Sequence, residues 1–491
     1  MKKIPFGTLI MLFFCFVIAY ILRSYVISSH LFFGPEQGRD LLVVRDIVFS
    51  HKLTLIGSKT DISGIFHGPV FYYLTAIPFA LSGGNPLSIS VFYLLLHSIG
   101  VYLIFLLTYE LTKKTTPAVW SAILYAVSFG LIINARWLSN PPLSIPLSIV
   151  FMIFLVRFIQ GKHWNLLGVG ITYALLGQVE FINYVLFGCM GILFMLKYFR
   201  IVRKVQFHII AVSLLATIAL SIGNYLIFDL RHNFLILKSV VKLLTDSGNS
   251  MTIGATFKNV FEVFFGQVAY SMGIFSWIYG LITVVTVTLV LLKLRKKNPY
   301  YDLIIIWILI SPLILFVLRR DTMQQFFEGS LAGYILAVVL TIYSLFKKNY
   351  YIGLVVFGLV LFQNIFSYVK FIPSNSQTFF QAPQPSVRYS DQLQVIHEIY
   401  KRANGKPFYF QAYTIPNFWQ DAWYYLFWYI GHSRYGYIPK EGNKSRVFVI
   451  IQKDTSNAFF QKKWYEQTVS KWGTRKEGFI FGEYTVEERQ L

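Results

Sequence analysis

Charged residues are scarce in this sequence. Only 13% of its side chains are Asp, Glu, Lys or Arg, whereas 55% are hydrophobic. A soluble globular domain carries charges at about a quarter of its positions, so a soluble enzyme of ordinary composition is excluded. The composition instead predicts a polytopic α-helical membrane protein, most of which is surrounded by lipid.

Acidic residues are scarcer than basic ones. Asp and Glu number 22 against 44 Lys and Arg, a balance that nucleic-acid-binding proteins also show. The basic residues, however, form short clusters between apolar runs. This distribution is typical of the cytoplasmic loops of a membrane protein. We therefore expect no nucleic acid among the partners of the chain.

Cysteine is nearly absent, and no metal or nucleotide motif is found. Cys15 and Cys189 both lie inside apolar runs, so neither a disulfide framework nor a cysteine-bound metal is expected. No HExxH pair, CxxC pair or phosphate-binding loop occurs, which argues against nucleotide-driven chemistry. The sequence indicates no cofactor, except that a divalent cation between two neighbouring carboxylates stays open.

Long apolar runs are what the sequence has in abundance. A spanning helix needs about 20 apolar residues, with about 17 as the lower limit. We expect the first run, which follows two lysines, to be retained as a helix that starts in the cytoplasm. The eleven predicted spans are 7–27, 88–111, 117–135, 142–160, 164–179, 181–199, 207–229, 273–294, 301–318, 326–346 and 350–370.

The apolar segment 69–82 is too short to count as a span. Its 14 residues extend about 21 Å as a helix, less than the roughly 30 Å of the hydrocarbon core. If it does not cross, every lysine cluster shares the side of the N-terminal lysines, as the positive-inside rule requires. We therefore expect an interfacial helix here. The clusters are 113–114, 162, 197–204, 293–297 and 347–348.

Two domains follow from this topology. Residues 1–371 are expected to form the membrane domain, with extracytoplasmic loops at 28–87 and 230–271. Residues 233–266 of the second loop contain an apolar pattern at helical spacing, from Phe234 to Leu244, which predicts another interfacial helix. Residues 372–491 alternate helical patterns, including an aromatic helix at 418–431, with the strand-like segments PFYFQAY, RVFVIIQK and GFIFGEYTV. They predict a small extracytoplasmic α/β domain.

Acidic residues are concentrated at the start of the first loop. Transfer of a sugar from a lipid phosphate needs a carboxylate to deprotonate the acceptor and cations to hold the leaving phosphate. Glu36 lies just past the first helix, within reach of an aqueous acceptor, and is the predicted catalytic carboxylate; simple pairing with Arg39 is the alternative. Asp40, one helical turn on, is the second candidate. The two acids either share a proton or a divalent cation, or are separated by the arginines.

Basic residues on the extracytoplasmic side are the candidates for phosphate binding. Arg319 and Arg320 are adjacent where the positive-inside rule disfavours basic residues. A guanidinium binds phosphate oxygens through two hydrogen bonds, so these residues and Arg39 are predicted to contact the donor phosphate. Interfacial snorkelling is the alternative. Arg231 and His232, candidates for substrate binding, carry the same two interpretations.

Five segments resemble, in order, the signatures of a known family. They are EQGRDLLVVRDI, HGPVFYYLTAIPFALSGGNP, NARWLSNPPLSIP, LLGQVEFINYVLF and FDLRHNF, and the match as a whole covers roughly residues 5–370. They resemble bacterial GT-C glycosyltransferases related to the aminoarabinose transferase of lipid A and to the protein O-mannosyltransferases, of the family 39 type. The resemblance implies an inner-membrane, inverting, metal-optional transferase that uses an undecaprenyl-phosphate sugar or a similar lipid donor on the extracytoplasmic side.

The resemblance also suggests roles for single residues. Glu36 stands where the family usually has an aspartate, and Asn140, which cannot act as a base, matches a second aspartate of some members. Glu180 replaces a histidine that often follows the glutamine in relatives. His67 is the counterpart of a lysine or histidine near the lipid phosphate. Asn140, Glu180 and Tyr72, which lies in the aromatic turn after His67, are therefore assigned to substrate binding.

Two other functions compete with the transferase. A lipid-linked oligosaccharide flippase or transporter is expected to carry charges deep within several helices and a repeat of two bundles, and a polysaccharide polymerase or ligase a large loop between late helices. The sequence instead gathers its charges at one face and its soluble part at the C-terminus. We therefore predict a hexosyl or pentosyl transferase with a polyprenyl-phosphate-linked donor, membrane lipid contacts and a glycan, lipid or protein acceptor.

Overall fold

The computed structural model describes residues 5–245, 251–296, 298, 300–374, 387–415, 419–440 and 446–490. Parts of the predicted loop 230–271 and of the predicted domain 372–491 therefore lie outside the described residues. Lys297 of one lysine cluster and Phe418 at the start of the predicted aromatic helix also lie outside them.

Helices form nearly all of the described chain before residue 372. A helix satisfies its own backbone hydrogen bonds, which is what a chain in lipid requires. The helices are α1 (Phe6–Ser24), α2 (Ile27–His30), α3 (Pro35–Ser50), α4 (Val70–Ser82), α5 (Pro86–Thr112), α6 (Thr115–Val127), α7 (Phe129–Arg136), α8 (Ser144–Ile159), α9 (Asn165–Val179), α10 (Ile182–Lys197), α11 (Phe199–Val202), α12 (Phe207–Arg231), α13 (Leu235–Thr245), α14 (Ile253–Ser271), α15 (Trp277–Leu294), α16 (Tyr301–Leu318), α17 (Glu328–Lys348) and α18 (Tyr350–Phe371), with 3-10 turns at Pro141–Leu143 and Gln324–Phe327.

The predicted class, a polytopic helical membrane protein, is confirmed. Within the described residues, eight helices are long and apolar enough to cross a membrane, and the number is nine if the bent pair α6 and α7 is counted as one span. The predicted spans 164–179 and 181–199 are shorter than expected, because α9 and α10 have 15 and 16 residues, below the limit of about 17. Since α9 and α10 are consecutive, the sidedness of all later helices is the same whether both cross or neither does.

The predicted span 117–135 is broken at Ser128, where α6 and α7 meet at 53°. The backbone N–H of Phe129 donates to Asn364 Oδ1 at 2.9 Å, and Ser128 Oγ donates to the carbonyl of Ser271 at 2.7 Å. In the hydrocarbon region no water replaces such bonds. The break therefore depends on polar side chains from other helices of the bundle.

Two buried arginines support the same region. Arg23 donates to the carbonyls of Ala126 at 3.0 Å and Tyr125 at 3.2 Å, at the end of α6. Arg136, at the end of α7, donates through Nη1 to the carbonyls of Arg23 and Tyr25, both at 2.8 Å. The two guanidinium groups thus satisfy backbone carbonyls at the ends of α1 and α6.

The loops between the spans contain further helices. The segment 69–82 forms α4, whose 13 residues extend about 20 Å and are too short to cross. One interfacial helix is predicted in residues 233–266, whereas the described residues there form two helices, α13 and the start of α14. The α14 side chains Phe264 and Val268 are buried in the hydrophobic core.

The chain forms two compact units. The first unit comprises Met1–Tyr25, Thr54–Leu74 and Val91–Lys370, and the second comprises Val26–Leu53, Thr75–Ser90 and Phe371–Leu491. The second unit thus contains α3 in addition to the C-terminal part of the chain. Each unit has a core of its own: Trp307 is fully buried in the first, and Trp423 is almost fully buried in the second.

The C-terminal part contains a four-stranded mixed sheet, which confirms the predicted small α/β fold. The strand order is β1-β2-β4-β3, with β1 parallel to β2 and the other pairs antiparallel. The predicted single strand GFIFGEYTV is wrong: it is a hairpin, because Gly482 takes a positive φ of 54° in a two-residue turn. The elements are α19 (Tyr389–Ala403), β1 (Tyr409–Tyr413), α20 (Asp421–Ile430), a π-helical turn (Gly431–Tyr435), β2 (Val447–Gln452), α21 (Ala458–Thr468), a 3-10 turn (Val469–Trp472), β3 (Thr474–Phe481) and β4 (Tyr484–Gln490).

We expect Asn364→Leu to destabilise the protein by about 1–3 kcal/mol, because it leaves the buried Phe129 N–H without its acceptor. The measurement is the apparent unfolding midpoint of the purified protein in detergent. Asn165→Leu is the matched control, since the Asn165 side chain donates only to the carbonyl of Lys162 in a partly exposed turn. Equal midpoints for the two variants would contradict the role given to Asn364.

Candidate functional site

In the second unit, the predicted catalytic carboxylate lies at the start of α3. Gly34 precedes the helix, Pro35 is its first residue, and Gln37 Oε1 accepts the backbone N–H of Gly34 at 3.0 Å. This arrangement defines the helix start. The Glu36 side chain is exposed in the first turn, where the helix dipole favours a negative charge.

Asp40 has a different environment from Glu36. The Asp40 side chain is buried, and its Oδ1 accepts a hydrogen bond from Arg39 Nε at 2.9 Å. Of the two arrangements that the sequence left open, this geometry corresponds to the one in which an arginine pairs with the second acid. An exposed Glu36 and an ion-paired Asp40 are thus suited to different tasks, although they are one helical turn apart.

Asp421, which the sequence analysis did not select, lies beside this pair. Helix α20 begins at Asp421 and packs so closely on α3 that a Cβ at Gly38 would collide with the backbone of Asp421 and Ala422. Burial raises the pKa of the Asp421 carboxyl, while the nearby charge of Arg39 lowers it. No local motif marks Asp421, because its neighbours Gly38 and Arg39 on α3 are remote from it in sequence.

No metal site is found in the ranges that the structure describes. No group of three or more His, Cys, Asp or Glu side chains there is placed to hold a metal ion. The divalent cation that the spacing of Glu36 and Asp40 left open therefore stays a prediction without a described set of ligands.

In the first unit, the loop that carries His67 folds onto the end of α9. The backbone N–H of Gly57 donates to the carbonyl of His67, and that of Gly68 to the carbonyl of Gln178, both at 2.8 Å. A Cβ at Gly68 would collide with the Gln178 side chain, so glycine permits the close approach. The loop leads into α4, where Tyr72 is buried.

His67 and Glu180 come together in this arrangement. His67 Nδ1 lies 3.9 Å from Glu180 Oε1 in the break between α9 and α10. Burial and, to a smaller extent, the charge of Asp61 raise the pKa of Glu180 to about 8, although a backbone hydrogen bond from Ile182 lowers it. Glu180 thus holds its proton at neutral pH in the folded protein.

Two asparagines hold the backbone on either side of Glu180. Asn140 Nδ2 donates to the carbonyl of Val179 at 2.5 Å, and Asn183 Nδ2 donates to Ser144 Oγ at 3.0 Å. Both side chains are buried. The structure therefore brings Asn140, His67 and Glu180 into one polar group, in which Asn140 fixes the end of α9.

Glu328 belongs to the same polar group and was not selected from the sequence. It is fully buried at the start of α17, and neither of its carboxyl oxygens has a hydrogen-bond partner among the described residues. Glu180 is near enough to interact with it electrostatically, and the adjacent Gly329 packs against Asn183. An acid at the start of an apolar run was the available signal, because such residues in spans are mostly functional.

Arg231 and His232 lie at the end of α12, and both are exposed. The His232 ring stacks on Phe228 with 3.9 Å between ring centroids. In the same segment, the Asp229 carboxylate accepts the backbone N–H of Ile236 at 2.8 Å. Asp229 of the FDLRHNF signature therefore caps the start of α13.

Arg319 and Arg320 lie at the other end of α13. Arg320 Nη2 donates to the carbonyl of Leu243 at 3.2 Å, whereas Arg319 is exposed with a left-handed backbone, φ 51°. The eleven residues of α13 correspond to about 16 Å of helix. The four predicted basic residues therefore form two separate pairs.

The fold of the chain is similar to that of solved membrane proteins, and the fold predicted from the five segments is confirmed. Neither a protein-family profile nor a curated protein sequence matches the chain.

Two enzymes represent this fold among solved structures. ArnT from Cupriavidus metallidurans bound to undecaprenyl phosphate has a TM-score of 0.63 at 9% identity, covering 98% of both chains, and its apo form has a TM-score of 0.66 at 8% identity. AglB from Archaeoglobus fulgidus, in complex with an inhibitory peptide and a dolichol-phosphate, has a TM-score of 0.53 at 13% identity and covers 98% of this chain and 74% of its own. At these identities the likeness concerns the fold.

Glu180 makes the stability of the protein depend on pH. Its pKa is about 8 in the folded chain against an ordinary value of 4.5, so the folded state binds more protons than the unfolded state between these pH values. Stability therefore falls as pH rises through this window. We expect the unfolding midpoint of Glu180→Gln to fall less between pH 5 and pH 8 than that of the wild type.

The control for this measurement is Glu466→Gln, which removes an exposed carboxylate of the second unit and should keep the wild-type dependence. A Glu180→Gln variant with an unchanged pH dependence would show that Glu180 is ionised in the folded protein at neutral pH.

Proposed function

We propose that this protein is a glycosyltransferase that moves a sugar from a polyprenyl phosphate to an acceptor on the extracytoplasmic side of the inner membrane. The observation that carries the proposal is the exposed carboxylate of Glu36 at the start of α3, just after the first membrane helix, in a chain with the GT-C fold. The undecaprenyl phosphate bound to ArnT and the dolichol-phosphate bound to AglB support a lipid phosphate as the carrier of the sugar.

The reaction needs one proton transfer and one displacement. In the proposed mechanism, Glu36 accepts the proton of the acceptor hydroxyl, and the hydroxyl oxygen attacks the anomeric carbon. The bond between this carbon and the phosphate oxygen breaks, and the polyprenyl phosphate leaves with the electron pair. A single displacement from the opposite side inverts the anomeric configuration. Asp40 is a positioning residue in this scheme, because it holds Arg39 through their ion pair.

Cations are needed to stabilise the leaving phosphate. Arg39, His67, Arg319 and Arg320 are the proposed contacts, as the sequence suggested. Of the three that belong to the first unit, Arg319 is the most exposed. Arg320 also donates to a backbone carbonyl. The substrate-binding roles of Asn140, Glu180, Tyr72, Arg231 and His232 are likewise part of the proposal.

The positions of the buried charges favour an enzyme over a flippase. Among the described residues of the spans, the buried Asp, Glu, Lys and Arg side chains all lie in the first or last turn of a helix. A transporter is expected to keep charges near the middle of the membrane. The residues concerned are Arg23, Glu110, Arg136, Asp229 and Glu328.

The proposed topology follows from the number of spans. Nine spans, or eleven when α9 and α10 both cross, put residues after 371 on the side opposite the N-terminus. With the lysine clusters in the cytoplasm, the start of α3 and the C-terminal α/β part are extracytoplasmic. The acceptor is then a glycolipid, a cell-envelope glycan or a protein.

We expect Glu36→Gln to lower transfer at least about 100-fold, because it removes the general base. Mass spectrometry of envelope glycolipids in a deletion strain identifies the missing product, and complementation then compares the variants. The purified variant should still bind undecaprenyl phosphate. Glu398→Gln, which removes an acid of the second unit that pairs with Arg402, serves as the control. Normal product formation by Glu36→Gln would refute the assignment.

We expect Arg319→Ala and Arg320→Ala each to weaken binding of undecaprenyl phosphate about tenfold, because each loses a charge-assisted hydrogen bond. Binding is measured on the purified chain in detergent by titration of the lipid. Arg434→Ala, which removes a basic side chain of the second unit, is the control and should bind normally. If both variants keep the wild-type affinity, the two arginines have no part in holding the donor.

A further inference from the structure

The second unit contains a cavity that the proposed reaction does not use. It has a volume of about 580 Å³ and lies between the end of α3, the turn after α4 and the end of α20. Lys52 lines one wall, Trp428 and His432 line the other, and Gly83 closes the turn between them. The acids at the start of α3 do not line it.

The charged groups of the cavity leave a positive excess. Arg45 donates through Nε and Nη2 to Asp46 Oδ1 at 2.9 and 2.7 Å, so these two charges balance each other. Lys52 is exposed, and no carboxylate of the described chain lies within ion-pair distance of it. His432 Nδ1 donates to the carbonyl of Trp428 at 2.8 Å, which leaves Nε2 as the second polar atom of that ring.

Aromatic side chains pack against one another along the wall of the cavity that Trp428 lines. The Trp428 ring stacks on Phe79 with 6.1 Å between centroids, and the Arg45 guanidinium lies 5.5 Å from the Trp428 centroid on α20. Phe49 packs against the same indole at 5.9 Å.

Large exposed apolar side chains lie on the segments that line the cavity. Phe49, Leu53 and Leu81 are 58%, 76% and 85% exposed. Phe49 lies on α3, Leu53 follows Lys52, and Leu81 lies close to Gly83 in sequence. Exposed apolar groups of this size beside basic residues are typical of a surface that contacts both the headgroups and the acyl chains of a membrane.

We propose that the cavity binds the phosphodiester headgroup of an acidic phospholipid, with the acyl chains covering Phe49, Leu53 and Leu81. Lys52 and His432 contact the phosphate, and the Arg45–Asp46 pair offers the remaining donors of its guanidinium to headgroup hydroxyls. A soluble sugar phosphate matches the basic residues but leaves the apolar side chains uncovered. The bound lipid anchors the second unit to the membrane surface. The proposal goes beyond glycosyl transfer and does not depend on it.

Native mass spectrometry of the full-length chain in neutral detergent tests this proposal, with phosphatidylglycerol, phosphatidylcholine and glycerol 3-phosphate as probes. The wild type should retain phosphatidylglycerol in preference to phosphatidylcholine. Lys52→Gln should lower this retention about fivefold, since one basic residue at a membrane surface contributes a factor of that size. Lys52 is exposed, so the variant is expected to fold.

Lys406→Gln is the matched control, because it removes an equal charge from an exposed position of the same unit and should retain phosphatidylglycerol normally. Arg45→Lys, which keeps a cation beside Asp46, should show an intermediate loss. Equal retention of phosphatidylglycerol by wild type and Lys52→Gln would overturn the proposal. Displacement of the lipid by millimolar glycerol 3-phosphate would also overturn it, because the site would then recognise a soluble phosphate.

Discussion

The satisfaction of backbone hydrogen bonds inside the bundle is the constraint on which the rest of the first unit depends. At Ser128 the chain breaks a span, and the backbone N–H of Phe129 finds a side-chain acceptor, Asn364, on another helix. Arg23 and Arg136 donate to carbonyls at the ends of neighbouring helices. Without water, each unsatisfied group in the membrane costs several kcal/mol. A buried polar residue in this bundle is therefore first explained by the backbone it serves.

That criterion separates Glu328 from the other buried polar residues. Among the residues that the structure describes, neither oxygen of Glu328 accepts a hydrogen bond. Burial also raises the pKa of Glu180, but its carboxyl accepts a hydrogen bond from the backbone of Ile182. Glu328 carries a desolvation cost without serving a backbone group, so structure alone does not explain its presence.

The sequence predicted the elements better than their contacts. Apolar length located the spans, but it did not reveal the break at Ser128, since an apolar run reads the same whether it is straight or bent. It also predicted a single interfacial helix in residues 233–266, where the structure has α13 and α14, and it did not reveal that side chains of α14 are buried in the core. Asp421 was missed because the close approach of α20 to Gly38 joins segments that are remote in sequence. The proximity of His67 and Glu180 is likewise tertiary.

The acids at the start of α3 illustrate how environment, rather than residue type, divides the roles. Glu36 is exposed at a helix N-terminus, Asp40 is buried in an ion pair with Arg39, and the burial of Asp421 raises its pKa. In the proposed mechanism the group that receives a proton from an aqueous acceptor has to be reachable, and of the three acids Glu36 is the exposed one. Asp40 Oδ1 instead accepts a hydrogen bond from Arg39. In that mechanism the second acid therefore acts indirectly, through the cation that it holds.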